Sequence, residues 1–253
     1  MTALGFLYPG HYAEDDYPRM EQLLGSDIRA DLVHTDDAEE AQLREALRRG
    51  ALPAAAERPE SGVPRRLAAG VEELRLAGAE TVVWACAGGS FAHGWESAHE
   101  QVRALALAAG MPASCTSFAF VHAVQEIGAR RVAVAAAYPD TLAELFAGFL
   151  RAGGLEVVSV HGVGAAPDEV STWGAAEVLA LARTGDHPDA QAVLLPDTAL
   201  HTAAYLPELE KGLSKPVLTA NQVTMWEALR LVDRRVNAPA LGSLFTKEPI
   251  VQV

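Results

Sequence analysis

Gly78-Ala-Glu-Thr-Val-Val-Trp-Ala-Cys86-Ala-Gly-Gly-Ser90 carries a short apolar run, then a thiol, then small residues only. A run this short, apolar on both faces and bounded by polar or small residues, reads as a buried parallel strand. Asp189-Ala-Gln-Ala-Val-Leu-Leu-Pro-Asp197 has the same build, with a carboxyl where the first has a thiol. Working outward, Tyr8-Pro9 and Tyr138-Pro139 each close an apolar run. Met111-Pro112 opens a stretch holding Thr116 and Ser117, and Lys215-Pro216 opens one holding Thr219 and Asn221. The order in both halves is strand-Tyr-Pro, strand-Cys or strand-Asp, then Pro-strand-Thr-helix. Three matches in the same order read as two related lobes.

The remaining pattern agrees. Apolar runs at 3–7, 81–85, 131–136, 156–160, 192–195 and 216–218 alternate with amphipathic stretches at 38–49, 64–77, 97–109, 118–127, 141–152, 173–183, 207–213 and 223–232. Alternating strands and helices predict an α/β fold whose parallel sheets are covered on both faces. Residues 51–64 have no period and read as a surface connection. The expected organisation is two pseudo-symmetric lobes, 1–117 with 225–253 and 118–224, with a cleft between the carboxyl ends of their strands, where open α/β sheets bind ligands.

The composition narrows the partners. The 253 residues are 50% apolar and 21% charged, which excludes wholesale disorder. A formal charge of −13 argues against nucleic acid or an anionic membrane as partner, because phosphates select Lys/Arg surfaces. Two cysteines make neither a disulfide scaffold nor a four-thiolate zinc site. The first residues do not read as a secretory signal, and no apolar run reaches roughly 18 residues, the length of a membrane span. The expectation is a soluble cytoplasmic protein. The eight histidines show no metal-ligand spacing, and no dinucleotide, P-loop or Gly-x-Ser-x-Gly fingerprint occurs, so neither metal nor cofactor is expected.

Residues just after the strands are the candidates for chemistry. Cys86 precedes Ala87, Gly88 and Gly89, whose small side chains let a substrate approach backbone N–H groups able to hold a carboxylate or an enolate oxygen. A thiol beside such donors is reactive; the alternative is an inert buried cysteine. Asp197 precedes Thr198 and has two readings, a helix N-cap or an acid/base group facing the same cleft as Cys86. Cys115 reads as a strand-end core residue, and His93 and His201 follow the two key loops.

These stretches together resemble the aspartate/glutamate racemase superfamily, in particular its maleate cis-trans isomerase and arylmalonate decarboxylase branch. The resemblance rests on Gly5-Phe-Leu-Tyr-Pro, Val82 to Gly94, Gly110 to Ser117, Arg130 to Tyr138, Ala192 to Leu200 and Pro216 to Trp226. It implies two flavodoxin-like lobes, a cofactor-independent site between them and frequent oligomerisation; Trp95, Tyr205 and Trp226 suit an interface or the core equally well. It assigns Cys86 to the first of the family's two cysteines. Ala87, Gly88 and Gly89 match the carboxylate-binding loop, Tyr8-Pro9 the first substrate-facing loop, and Tyr138 a substrate-binding tyrosine. Ser117 and Thr198 join them as substrate-binding candidates. The departures are Asp197, where the second cysteine is expected, and Tyr8-Pro9-Gly10-His11-Tyr12, where the isomerases have an Asn-containing Ser/Thr-rich turn.

The leading expectation is an isomerase in which Cys86 and Asp197 act on a small carboxylate. The alternatives are a lyase, decarboxylase or hydrolase with Cys86 as covalent nucleophile, and a non-catalytic carboxylate-binding relative that lost the second thiol.

Overall fold

In a computed structural model that describes residues 1–35 and 65–246, the apolar runs form strands and the described amphipathic stretches between them form helices. The helix expected at 38–49 and the connection at 51–64 lie outside those residues. One sheet takes β1 (Thr2–Tyr8), β2 (Ile28–His34), β3 (Thr81–Trp84) and β4 (Ala113–Cys115) in the order β2-β1-β3-β4, all parallel. The other takes β5 (Arg131–Ala136), β6 (Glu156–Gly162), β7 (Ala192–Leu195) and β8 (Val217–Thr219) in the order β6-β5-β7-β8, again all parallel. The orders correspond strand for strand, so the two-lobed α/β reading holds.

Parallel neighbours need crossover connections. Helix α1 (Asp16–Leu24) links β1 to β2, and α2 (Arg65–Ala77) leads into β3. The short α3 (Gly88–Phe91) and α4 (Gly94–Ala109) link β3 to β4, and α5 (Thr116–Glu126) passes to the second sheet. There α6 (Asp140–Ala152), the pair α7 (Pro167–Val170) and α8 (Ala175–Gly185), and α9 (Leu206–Leu213) make the crossovers. Helix α10 (Ala220–Leu231) follows β8 and packs on α5 and on β1, β3 and β4 of the first sheet. Two 3₁₀ turns, Pro239–Leu241 and Ser243–Phe245, follow.

Strand alternation sorts the core. Along β5, Val132, Val134 and Ala136 face the main core, which includes residues of both sheets. Ala133 and Ala135 point the other way, into a second cluster with Val178, Leu181 and Leu209 under α8 and α9. Trp95, Tyr205 and Trp226 are partly buried and pack against these cores.

Helices α5 and α10 occupy equivalent places, each starting where a short strand ends, and they pack on one another. Thr116 Oγ1 and Thr224 Oγ1 lie 2.7 Å apart across that contact. Glu227 of α10 is fully buried and accepts from Ser114 Oγ at 2.7 Å and from Arg230 Nε at 2.7 Å, with His122 Nδ1 at 3.0 Å. Burial opposes its charge, but Arg230 and His122 outweigh burial and bring the pKa down to about 2.

Several sequence expectations need correcting. β2, α1, α3 and α7 were not expected as elements. β6 is an edge strand, partly exposed along its length rather than buried on both faces, and extends to Gly162. Trp173 precedes α8, which runs Ala175–Gly185. Helix α4 starts at Gly94 rather than 97, and α10 at Ala220 rather than 223.

Candidate active site

In each sheet the chain leaves the first strand toward one side and returns on the other, so the sheet divides at the carboxyl ends of β1 and β3, and of β5 and β7. Crevices form at such switch points. Tyr8 and Cys86 stand at the first, Tyr138 and Asp197 at the second. The expectation from the repeats is met: the paired strand-end residues fall at equivalent positions.

Cys86 follows β3 after Ala85 and is 8% exposed. Ala85 N–H still donates to Leu7 O at 2.9 Å, so the β1–β3 ladder holds the chain up to the thiol. The chain then turns into α3, and Gly89 N–H donates to Cys86 Sγ at 3.2 Å. Glycine is required at 89 by contact: an added Cβ would collide with the Trp84 indole and stand 3.2 Å from Cys86 Sγ. Ser90 and Ser117 hydroxyls lie 2.6 Å apart, and Ser117 Oγ reaches Ala87 O at 3.0 Å. Ser117 is fully buried. Its hydroxyl therefore ties the thiol loop to the first turn of α5, an office the sequence did not suggest.

Asp197 is 6% exposed and caps no described helix, since α9 begins at Leu206. Its Oδ2 accepts Ala137 N–H at 2.8 Å, across the switch point from β5. Burial raises its pKa to about 7, and the single N–H bond offsets only part of that. Tyr138 Oη donates to Pro196 O at 3.1 Å. Burial raises the Tyr138 pKa well above that of a free phenol, with further contributions from the charges of Asp197, Cys86 and Tyr8. Tyr138 thus lies within electrostatic reach of the thiol of one lobe and the carboxyl of the other.

Tyr8 is fully buried, and its hydroxyl donates to Thr198 O at 2.8 Å while accepting Ala13 N–H at 3.0 Å. This ties the first lobe to the Asp197 loop of the second. Pro9 is buried beside it, and Thr198 is half-buried. Cys115 is fully buried, which pushes its thiol up to about 11 despite hydrogen bonds from Ser90 and from the Phe118 and Ser117 N–H groups. That fits the expected core role. His201 Nδ1 lies 2.9 Å from Asp15 Oδ1.

Two features escaped sequence reading. Asp16, 2% exposed, accepts Thr202 N–H at 3.0 Å, Ala203 N–H at 3.2 Å and Asn221 Nδ2 at 3.2 Å. An acidic residue opening a helix looks like a solvated first turn, and nothing in the sequence says its face is covered. Separately, His11, Glu14 and His34 converge although no ligand spacing links them.

A family model described as arylmalonate decarboxylase matches residues 51–245. The chain belongs to the arylmalonate decarboxylase family. The arylmalonate decarboxylase of Bordetella bronchiseptica is 32% identical over 143 residues, 54% of this chain and 59% of that protein's length. A crystal structure of arylmalonate decarboxylase superposes with a TM-score of 0.75 at 23% identity, covering 98% of this chain and 100% of that one. The Nocardia farcinica maleate cis-trans isomerase, solved as a cysteine-to-serine mutant with a covalently bound succinylcysteine intermediate, gives a TM-score of 0.78 at 19% identity, covering 98% and 99%. These likenesses establish the two-lobed fold. The named relatives of this family and fold are enzymes, a decarboxylase and an isomerase. Among the described residues no helix is long and apolar enough to cross a membrane.

Proposed function

We propose that this protein is a cofactor-independent isomerase of small carboxylates, with Cys86 and Asp197 acting from opposite faces of the carbon next to the carboxylate. The observation that carries the reading is the Asp197 carboxyl, buried, held by one N–H, and poised near neutrality. A general acid or base works best with a pKa near the operating pH. An ionised aspartate about 4 Å from a substrate carboxylate would cost roughly 4 kcal/mol at an effective dielectric near 20. A protonated one costs nothing of the kind and can give up its proton.

In this reading the backbone N–H groups of Ala87 and Gly88 receive the substrate carboxylate, while Gly89 N–H supports the sulfur. Tyr138, Thr198, Tyr8, Pro9 and Ser117 shape or brace the site. The Cys86 thiolate takes the proton from the carbon, and the C–H electron pair moves into the carboxylate as an enediolate. Asp197 returns a proton to the opposite face. With an alkene substrate the same thiolate adds to the double bond, the former double bond rotates, and the C–S bond breaks again. The Nocardia relative's succinylcysteine adduct supports a thiolate addition of this kind on the scaffold.

A second reading is decarboxylation of a substituted malonate, favoured by the family match over 51–245. Loss of carbon dioxide leaves the same enediolate, which Cys86 or Asp197 would protonate.

Proton NMR in D₂O separates these readings. The panel is maleate, aryl- and alkylmalonates, and 2-substituted carboxylates including amino acids. Cis-trans conversion, or solvent deuterium at the α-carbon without carbon dioxide, supports the isomerase. Carbon dioxide release supports the second reading. Cys86→Ser and Asp197→Asn are each expected to lower turnover more than about 100-fold. Turnover unchanged by either substitution overturns the isomerase reading, and turnover unchanged by both overturns the two readings together.

A further inference from the structure

We propose that His11, Glu14 and His34 form a binding site for a borderline divalent cation of the zinc class. His11 and Glu14 lie in the loop between β1 and α1, and His34 ends β2. The parallel register puts His34 opposite Tyr8, so all three gather at the carboxyl edge of the first sheet. Each side chain offers a ligand atom, and these atoms lie within 4.8 Å of one another. The His11 and His34 rings are 3.9 Å apart between centroids, and His11 Nδ1 lies 3.5 Å from Glu14 Oε1.

The chemistry of the set selects the ion. Two imidazoles and one carboxylate suit zinc and its neighbours in the first transition row, whereas calcium and magnesium prefer all-oxygen shells. The surroundings suit a metal ligand. His34 Nδ1 lies 2.8 Å from Gly10 O, so as a neutral ring it donates there and keeps Nε2 as its lone-pair nitrogen. Ligand histidines are commonly fixed by a backbone carbonyl in this way. The His11 side chain is 60% exposed, so an ion reaches it directly from solvent.

Occupancy would have a structural consequence. The β1–α1 loop lies between Tyr8 and Asp16, and both residues bond the second lobe. A cation joining that loop to the end of β2 would brace the segment that ties the lobes together.

The test uses the full chain stripped with a chelator and titrated with zinc chloride by calorimetry, and with cobalt chloride by visible absorption. The expected result is one cation per chain and a cobalt spectrum without the near-ultraviolet band of a thiolate ligand. His11→Gln and His34→Gln should each weaken zinc binding by more than about tenfold, and Glu14→Gln should weaken it less. Cys86→Ser should leave it unchanged, which separates this site from the candidate active site. Circular dichroism of the two exposed-histidine variants confirms that they fold. No stoichiometric binding, affinity untouched by both histidine substitutions, or affinity lost with Cys86→Ser overturns the proposal.

Discussion

Asp197 takes one hydrogen bond, from the Ala137 N–H, and burial outweighs it. Its pKa is therefore raised from the ordinary 3.8 to about 7. The folded state then binds a proton more tightly than the unfolded chain. The stability that follows is fully present at low pH and is lost as pH rises from about 4 to about 7. At about 1.4 kcal/mol per pKa unit the loss is at most roughly 4 kcal/mol. Asp197→Asn removes it, so urea midpoints for variant and wild type should converge near pH 4 and diverge above pH 7, with the variant more stable. The catalytic profile should move with it. If Asp197 gives up a proton, kcat/KM falls above about pH 7, and the residual activity of Asp197→Asn lacks that limb. The position of this residue was legible in the sequence, because an acidic group after a short apolar run repeats the place of Cys86. Its titration was not. Desolvation depends on what the other lobe and the following loop lay over the carboxyl.

At the scale of elements, the buried strands were legible and the elements beside the site were less so. β2 carries Arg29, Asp31 and His34 among its apolar residues, because an edge strand buries only part of its surface. That mixture hides it from a search for apolar runs. Helix α1 buries Asp16 beside Tyr17, Met20 and Leu24, so a carboxylate interrupts its apolar face. Helix α3 spans four residues, too short for a period to show. Its position rests on Gly89. In Gly89→Ala the new methyl must displace the Trp84 indole or push the turn away from Cys86 Sγ. The expected cost is about 1–3 kcal/mol in stability, and about 100-fold in turnover because the thiol shifts against its partners. Gly148→Ala is the control. An added Cβ at this α6 position meets nothing within 4 Å, so the helix should gain up to about 1 kcal/mol. Thermal melts and kcat for both variants check the contrast.

For the molecule as a whole, the proposed site draws on two lobes held in one arrangement, by a core shared between the sheets and by a small set of buried polar groups. The pseudo-repeat announces two lobes, but these ties break the repeat. Asp16 follows β1 and reaches into the second lobe, whereas the equivalent place after β5 holds Asp140, which is exposed and accepts Gly162 N–H within its own lobe at 2.8 Å. A search for matched positions therefore passes over Asp16. Its carboxyl receives two backbone N–H groups and the Asn221 amide, and Asn221 Nδ2 also reaches Thr198 O at 3.3 Å. Asp16→Ala strands those donors in a buried interface, where each unsatisfied group costs about 1–3 kcal/mol. Tyr8→Phe removes only the Thr198 and Ala13 bonds and should cost about 1 kcal/mol. Both ties end on the Thr198 loop, so loosening either one moves Asp197 relative to Cys86. A variant that remains folded should then lose turnover while substrate affinity changes less, because the Ala87 and Gly88 N–H groups proposed to receive the carboxylate sit wholly in the first lobe. Measuring kcat and KM beside urea midpoints checks this. Equal losses in stability and in KM with kcat intact would show that the ties serve folding alone.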